Sequence, residues 1–347
     1  MKSRANKQSG ATIKDVAERA GVSAMTVSRV LNEAARVRPE TRERVREAIA
    51  ELNYTPNISA RSLAKARSFF IGLFYNNPNP GYVSEMLVGL LNRCRQAGFH
   101  LVIENCGSSE EEWDGRITRI IEASNFDGVI VAPPIGDFTS VVEAIEQAGL
   151  PYVRIAPEVQ PDASPYVVTD DYEAAMKMTR HLIDLGHDRI GFIKGPPEHG
   201  ASRQREEGFR AAMGEAGLAV NEAWMVQGRF TYRSALSASD ALLAGDDRPT
   251  AVFASNDDMA AAVIAIAHKH DLAVPEDLSV AGFDDTHTAT TVWPQLTTIR
   301  QPIADMAAAA IELLAERFKP EHKADESPSI MIPSELIVRG SSAPLKR

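Results

Sequence analysis

Two strand ends in the second half of the chain carry clustered oxygen ligands. "SNDD" holds Asn256, Asp257 and Asp258, and "GFDD" holds Asp284 and Asp285. Such groups suit hard cations, cap helices, or accept hydrogen bonds from hydroxyls. Arg205, in "SRQREEGF", adds a planar fork that can donate two parallel hydrogen bonds to a carboxylate or a hydroxyl pair. The two cysteines, Cys94 and Cys106, fit no metal spacing and read as idle thiols in a reducing compartment. The eight histidines are scattered. His181, His187 and the "HKH" at 268–270 read as polar residues closing helices, where the macrodipole favours them. No G-x-G-x-x-G follows a strand, and G-x-x-x-x-G-K-[ST], H-E-x-x-H and G-x-S-x-G are missing. The chemistry on offer is therefore binding rather than catalysis, with no cofactor and no metal expected.

These groups need a scaffold, and the chain from Phe69 onward supplies one. "FFIGLFY", "HLVIENC", "GVIVAP", "PYVRIA", "RIGFIKG", "TAVFASN" and "LSVAGFDD" are short apolar runs. Amphipathic stretches near 84–97, 111–123, 139–148, 171–185, 203–216, 232–244 and 257–270 separate or follow them. A further strand and helix follow at "TTIRQPIADMAAAAIELLAERF", and a last strand at "SELIVR". Alternating strands and helices predict parallel sheets, and their number exceeds one sheet. The expected architecture is α/β, with two doubly wound subdomains closing on a ligand at the carboxyl ends of their strands. A chain of 347 residues, 44% hydrophobic, accommodates such cores and a further unit.

That unit lies at the N-terminus. Residues 1–67 hold 14 Lys and Arg against 7 Asp and Glu, while the remainder holds 23 against 40. A basic head on an acidic body, with an overall net charge of −10, predicts that the head meets a polyanion. Three short helices are legible in it. Thr12 and Asp15 form a capping-box pattern, followed by Ile13, Val16, Ala17 and Ala20 on one face. Gly21 ends that helix. Ser23 caps a second helix with Val27, Val30 and Leu31 inward, and a third begins at Pro39 with Val45, Ala48, Ile49 and Leu52 inward. This is the helix-turn-helix pattern. Within "AGVSAMTVSRVLN" the outward residues are Ala24, Met25, Ser28, Arg29 and Asn32, a small, polar and basic set suited to the major groove. Arg29 can pair bidentately with guanine. Thr26, Ser28 and Asn32 suit phosphate oxygens. "NYTPN" then breaks the chain, and Asn57 can cap a short helix, Ile58 to Ala66, too short to stand alone.

"TIKDVAERAGVSAMTVSRVLN", "VRPETRERVREAIAELNYTPNISARSLA", "SNDDMAAAV", "SVAGFDDT", "LTTIRQP" and "SELIVRG" together resemble the lactose/galactose-repressor (LacI/GalR) family of bacterial transcription regulators, over about residues 11–340. The resemblance implies base-reading positions at Ala24, Met25 and Arg29, with Arg29 carrying most of the directional specificity. Thr12, Ser23, Thr26, Ser28, Asn32 and Arg61 complete the implied DNA contacts. Asn57 matches the cap of the family's hinge helix, and Leu63 matches a leucine wedged into the minor groove, against the plainer reading of a core leucine. Arg38 stands where the family often has a Ser cap. For the cleft, the resemblance implies effector contacts from Arg205, Asn256 and Asp284, with Phe230 as a stacking face, Gln301 at the cleft edge, and Tyr82 beside Asn77 and Ser84 as lid residues. Helix capping is the competing reading for Asn256 and Asp284, and plain core for Phe230. Ala132 and Ala156 stand where the lactose repressor has polar residues. Nearby Arg154 could add a second cation for an acidic sugar, or pair with a carboxylate of the cleft wall.

The expected organisation is a helix-turn-helix domain over 11–56, a hinge helix over 57–67 and an effector-binding and dimerisation domain over 68–340. Its N-subdomain would span about 68–168 and 302–328, its C-subdomain about 169–299 and 330–342. The expected partners are operator DNA, a sugar or sugar derivative and a second copy of the chain. Its two recognition helices would span half-sites about 34–36 Å apart. Neither a signal peptide nor a membrane span is legible, so a cytoplasmic location is expected, and no leucine heptad predicts a coiled-coil tetramer. Rival readings are a DNA-binding protein with a vestigial cleft, a corepressor-type or activating regulator of non-sugar metabolism, and an enzyme with a fused head, for which no nucleophile–base pair is found.

Overall fold

The computed structural model describes residues 11–31, 37–54, 67–107, 116–245, 247–319 and 328–346. The chain divides into two compact units, Met1–Phe69 and Phe70–Arg347.

In the first unit, α1 (Ile13–Ala20), α2 (Ala24–Leu31) and α3 (Pro39–Glu51) form a small bundle. The capping box exists: Thr12 N–H donates to Asp15 Oδ2 at 2.6 Å, and Asp15 N–H donates to Thr12 Oγ1 at 3.4 Å. Gly21 closes α1 at φ +65°, where a side chain would be strained. Ser23 Oγ accepts from Thr26 N–H at 3.2 Å at the start of α2. Arg38 makes no side-chain cap to α3, which starts instead on Pro39 with its φ already set. Val16, Ala17, Ala20, Val27, Val30, Val45 and Ala48 are buried together, with Ile13, Leu31, Ile49 and Leu52 around them.

The second unit holds two six-stranded sheets. The first is built from β1 (Phe70–Tyr75), β2 (His100–Asn105), β3 (Gly128–Val131), β4 (Tyr152–Ile155), β5 (Tyr166–Val168) and β11 (Ser329–Met331). It is parallel throughout, in the order β11-β5-β4-β3-β1-β2. The second contains β6 (Ile190–Lys194), β7 (Met225–Gln227), β8 (Ala251–Ala254), β9 (Ser279–Asp284), β10 (Thr297–Arg300) and β12 (Glu335–Ile337), in the order β12-β10-β9-β8-β6-β7. Only β12 runs antiparallel, on β10. Helices cover the sheets: α4 (Pro80–Ala97), α5 (Arg116–Ser124) and α6 (Thr139–Gln147) belong to the first, and α7 (Asp171–Asp184), α8 (Gly200–Glu215), α9 (Tyr232–Leu243), α10 (Asp257–Lys269) and the short α11 (His287–Thr291) to the second. The inner strands β3, β4, β8 and β9 are buried along their whole length, as strands covered on both faces must be, which explains the apolar runs of β3 and β8.

α12 (Ile303–Glu316) returns to the first sheet, where its buried Met306, Ala310 and Leu314 join the core of β1, β3 and β4. The chain thus passes between the subdomains three times: after β5, after β10 and between β11 and β12. Sequence reasoning marked none of β5, β7 and β11, and it ended the N-subdomain near residue 328. Ile330 and Met331 in fact pair with Val167 and Val168 of the first sheet. Both cysteines are buried, which pushes the Cys94 thiol to about 11 and the Cys106 thiol to about 12. His187 does more than close a helix: its ring nitrogens lie 3.0 Å from Thr250 Oγ1 and from Ser279 Oγ, tying β8 and β9 to the chain before β6.

Candidate effector cleft and DNA-facing helix

A cavity in the second unit is lined from both subdomains, by Asn77, Asn79, Tyr82, Pro133 and Ala156 of the first and Asp171, His199, Ala201, Arg205, Phe230 and Asp284 of the second, with Gln301 at the crossover after β10. Its volume is about 30 Å³, space for one or two water molecules.

The floor is a charged knot. Arg205 projects from α8, and its side chain is only 4% exposed. Its Nε donates to Asp171 Oδ1 at 2.7 Å, and its Nη1 donates to the Ser255 carbonyl at 2.5 Å and lies 3.6 Å from Asp284 Oδ1. The guanidinium stacks 3.7 Å from the Phe283 ring centroid and 5.6 Å from that of Phe230, so its faces are covered by π-systems. Asp284 ends β9 at φ +107°, followed by Asp285 at φ +54°. Asp257 holds this unusual turn by accepting from Thr286 N–H at 2.7 Å and from Thr298 Oγ1 at 2.6 Å. Gly282 must lack a side chain, since a Cβ there would strike Asp257. Gln301 Nε2 donates to Asp284 Oδ1 at 2.7 Å.

Asn79 joins the two subdomains. Its Oδ1 caps α4 by accepting from Gly81 and Tyr82 N–H, and its Nδ2 donates across the cleft to Asp284 Oδ2 at 3.1 Å. Phe230, at φ +56°, meets the His199 ring edge-on at 5.4 Å. Burial raises Asp284 to about 7 although Arg205 and Gln301 pull it down. Asp171 is raised by burial too, against the pull of Arg205. Burial and the nearby Arg205 lower His199 to about 4, which makes it a neutral ring at physiological pH. Burial raises the Tyr82 phenol, so it stays protonated.

Of the expected effector residues, Tyr82, Arg205, Phe230, Asp284 and Gln301 line one cavity. Two do not. Asn256 is fully buried as the cap of α10: its Oδ1 accepts from Met259 N–H at 3.0 Å and its Nδ2 donates to the Phe230 carbonyl at 3.0 Å. It acts one step back, by holding Phe230. Arg154 is 1% exposed and spends its whole fork on Ser164 Oγ and on the carbonyls of Gly136, Val159, Gln160 and Pro161. It does not line the cavity and, among the described residues, makes no ion pair with a carboxylate, because the Ser164 hydroxyl and backbone carbonyls take its donors. Ser84 is exposed and absent from the lining, whereas Asn77 contributes to it. Sequence reasoning missed Asn79, Asp171 and His199. Asn79 before Pro80 carried a legible capping signal, and Asp171 required β5 to be seen first. Among the described residues, no cluster of three or more His, Cys, Asp or Glu could hold a metal ion, and no helix is long and apolar enough to cross a membrane.

In the first unit, α2 turns Met25 and Arg29 outward, Met25 at 63% exposure, while Ala24, Thr26 and Ser28 are half-buried beside them. Thr12 and Ser23 are committed to helix caps through one oxygen each. Asn32, Asn57, Arg61 and Leu63, with the hinge helix expected over 57–67, lie outside the described residues.

This arrangement has clear counterparts. Residues 12–57 match the bacterial regulatory proteins, lacI family, and residues 179–342 match a periplasmic binding protein-like domain. The chain is 35% identical over 333 residues to the HTH-type transcriptional repressor PurR of Vibrio campbellii, covering 95% of this chain and 98% of that one. Among solved structures, a transcriptional regulator CelR–cellobiose complex is 31% identical with a TM-score of 0.73, covering 96% of this chain and all of that one. The lac repressor dimer bound to operator and the anti-inducer ONPF is 27% identical with a TM-score of 0.78, at the same coverage. These relatives regulate transcription and are not enzymes. A helix-turn-helix head, two parallel-sheet subdomains with three crossovers, and relatives matched over nearly their full length lead to one conclusion: the chain belongs to the LacI family of bacterial transcriptional regulators.

Proposed function

We propose that this regulator is a cytoplasmic homodimeric repressor that binds a palindromic operator through α2 and responds to a neutral carbohydrate in the cleft between its subdomains. The observation that carries the ligand class is the placement of Arg205 between Asp171 and Asp284, beside the rings of Phe230 and Phe283. A sugar presents vicinal hydroxyls to carboxylates and a C–H face to an aromatic ring, here Phe230 in the cavity lining. Arg205 is the one cation among the described lining residues, and two carboxylates already neutralise it. With Arg205 held by Asp171 and flanked by Asp284, no unpaired positive charge awaits an anionic ligand, which disfavours an acidic sugar or a sugar phosphate. The cellobiose held by one relative and the operator held by another support the same reading. A sugar exceeds the present cavity, so binding involves opening between the subdomains, which the Asn79–Asp284 contact spans.

The test is a thermal-shift screen of neutral sugars, sugar acids, sugar phosphates and nucleobases, followed by calorimetry of any hit. A ligand at 100 times its Kd adds about 2.7 kcal/mol of stability. A neutral sugar is expected to raise the melting temperature and to alter retention of the protein on operator DNA selected from random sequence. A response confined to acids or nucleobases overturns the ligand class, and no response to any of the four classes favours the vestigial cleft.

A further inference from the structure

The loop after β4, residues 156–165, is anchored at its ends by Ala156, Pro157 and Pro165, while Val159 in its middle is exposed. Polar contacts shape that middle. Arg154 donates to the carbonyls of Val159 at 2.8 Å and Pro161 at 2.9 Å. Asp137 accepts from the N–H groups of Glu158 at 2.7 Å and Val159 at 2.9 Å. A buried guanidinium and a carboxylate thus grip the loop from both sides, and between them they aim one side chain outward.

That side chain is Glu158, and it crosses to the other subdomain. Its Oε2 pairs with Arg203 and its Oε1 accepts from Gln204 Nε2, both on α8. The Glu158 side chain is 11% exposed where Arg203 is 63% exposed, so the carboxylate is seated against α8 rather than waving in solvent. Gly200 permits the approach: a Cβ there would collide with Glu158. None of Glu158, Arg203 and Gln204 lines the cavity. These contacts bridge the two subdomains beside the cavity, through residues that do not line it.

We propose that Glu158, Arg203 and Gln204 form a clasp that biases the cleft toward closure in the absence of effector. Contacts made in only one of two conformers shift their populations by the free energy of those contacts. The clasp therefore sets the resting position of the switch. A ligand preferring the closed conformer gains from it, and one preferring the open conformer works against it. That consequence rests on the reading of the cleft as the effector site; the clasp itself does not.

Hydrogen exchange of the full-length chain, measured with no small molecule added, tests the clasp separately from the ligand class. The variants are Glu158→Arg, Arg203→Glu and the double charge swap. Each single reversal is expected to speed exchange about tenfold in residues 157–161 and at the α4 start, 79–83, with β3 and β9 unchanged. The double swap should restore parental rates. Parental rates in both single variants, or fast exchange that persists in the swap, overturns the proposal. If a reversal speeds exchange in β3 and β9, the isosteric Glu158→Gln replaces it. That variant is expected to speed exchange at the same two segments alone, and parental rates there are equally fatal.

Discussion

Replacing Asp284 by Asn probes the electrostatics of the knot most directly. Asn has nearly the same shape, tolerates positive φ, and cannot ionise. In the parent, burial lifts Asp284 from its ordinary value near 3.8 to about 7. The folded state therefore holds a proton that the unfolded chain releases near pH 4. Stability contributed by that proton is complete below about pH 4, falls as pH rises through the interval, and is gone above about pH 7. From pH 5 to pH 7 the loss covers about two pH units at about 1.4 kcal/mol each, or about 3 kcal/mol. The second unit has roughly 280 residues. At about 2.1 cal/mol/K per residue its unfolding entropy is about 0.6 kcal/mol/K, so 3 kcal/mol corresponds to about 5 °C. Melting curves of parent and Asp284→Asn at several pH values between 5 and 8 supply the assay. The gap between them should widen by about 5 °C in favour of the variant as pH rises. Asp257 is raised by burial and by the charge of Asp284, so the variant also relieves Asp257, which widens the gap in the same direction. Parallel curves would falsify the claim that Asp284 carries the titration.

Other outcomes follow from the same contacts. Arg29→Ala should cost about 1–3 kcal/mol on the cognate operator, measured by fluorescence anisotropy against random duplex; equal losses on both would reduce Arg29 to a phosphate contact. Arg205→Ala should weaken the screened ligand by about tenfold or more in calorimetry, since a charged hydrogen bond is worth about 1.5–3 kcal/mol; unchanged affinity would remove Arg205 from the effector site. With an inducing ligand the same variant should stay on operator at concentrations that release the parent. Arg154→Met removes five hydrogen bonds, four to the loop after β4 and one to Gly136, and should lower stability by about 3 kcal/mol or more through carbonyls left unpaired. A denaturant titration showing less than 1 kcal/mol would mean that water replaces the guanidinium.

Inner strands were legible because burial on both faces leaves a plain apolar run. β3, β8 and β9 read directly from "GVIV", "AVFA" and "SVAGFD". The three-residue strands β5, β7 and β11 did not, since three residues cannot display a period and their pairing is decided by distant partners. In the cleft, residue type pointed to Arg205 and Asp284, but type alone could not separate a donor facing the cavity from one facing the protein. Asn256 and Arg154 carry groups as suitable as those of Gln301 and Arg205. What distinguishes them is that backbone partners, Met259 N–H and the loop carbonyls, reach them first. Asp171 stayed hidden for the opposite reason: its partner Arg205 lies 34 positions away and meets it only after β6 and α8 have packed.

The triple passage of the chain between the sheets also governs the order in which the molecule can be made. The first sheet receives one of its covering helices, α12, and its edge strand, β11, only from residues 303–331. During synthesis the second sheet, through β10, is therefore complete but for β12 while the first still exposes the side that α12 will cover. The earlier-translated lobe must wait for the later one, and contacts of such large sequence separation form slowly. A nascent chain stalled near residue 300 would carry an open apolar face, the kind of surface that chaperones engage. For the same reason neither lobe can be cut out as a continuous fragment, and a ligand-binding lobe for separate study must be built by circular permutation or by splicing 303–331 onto the end of the first.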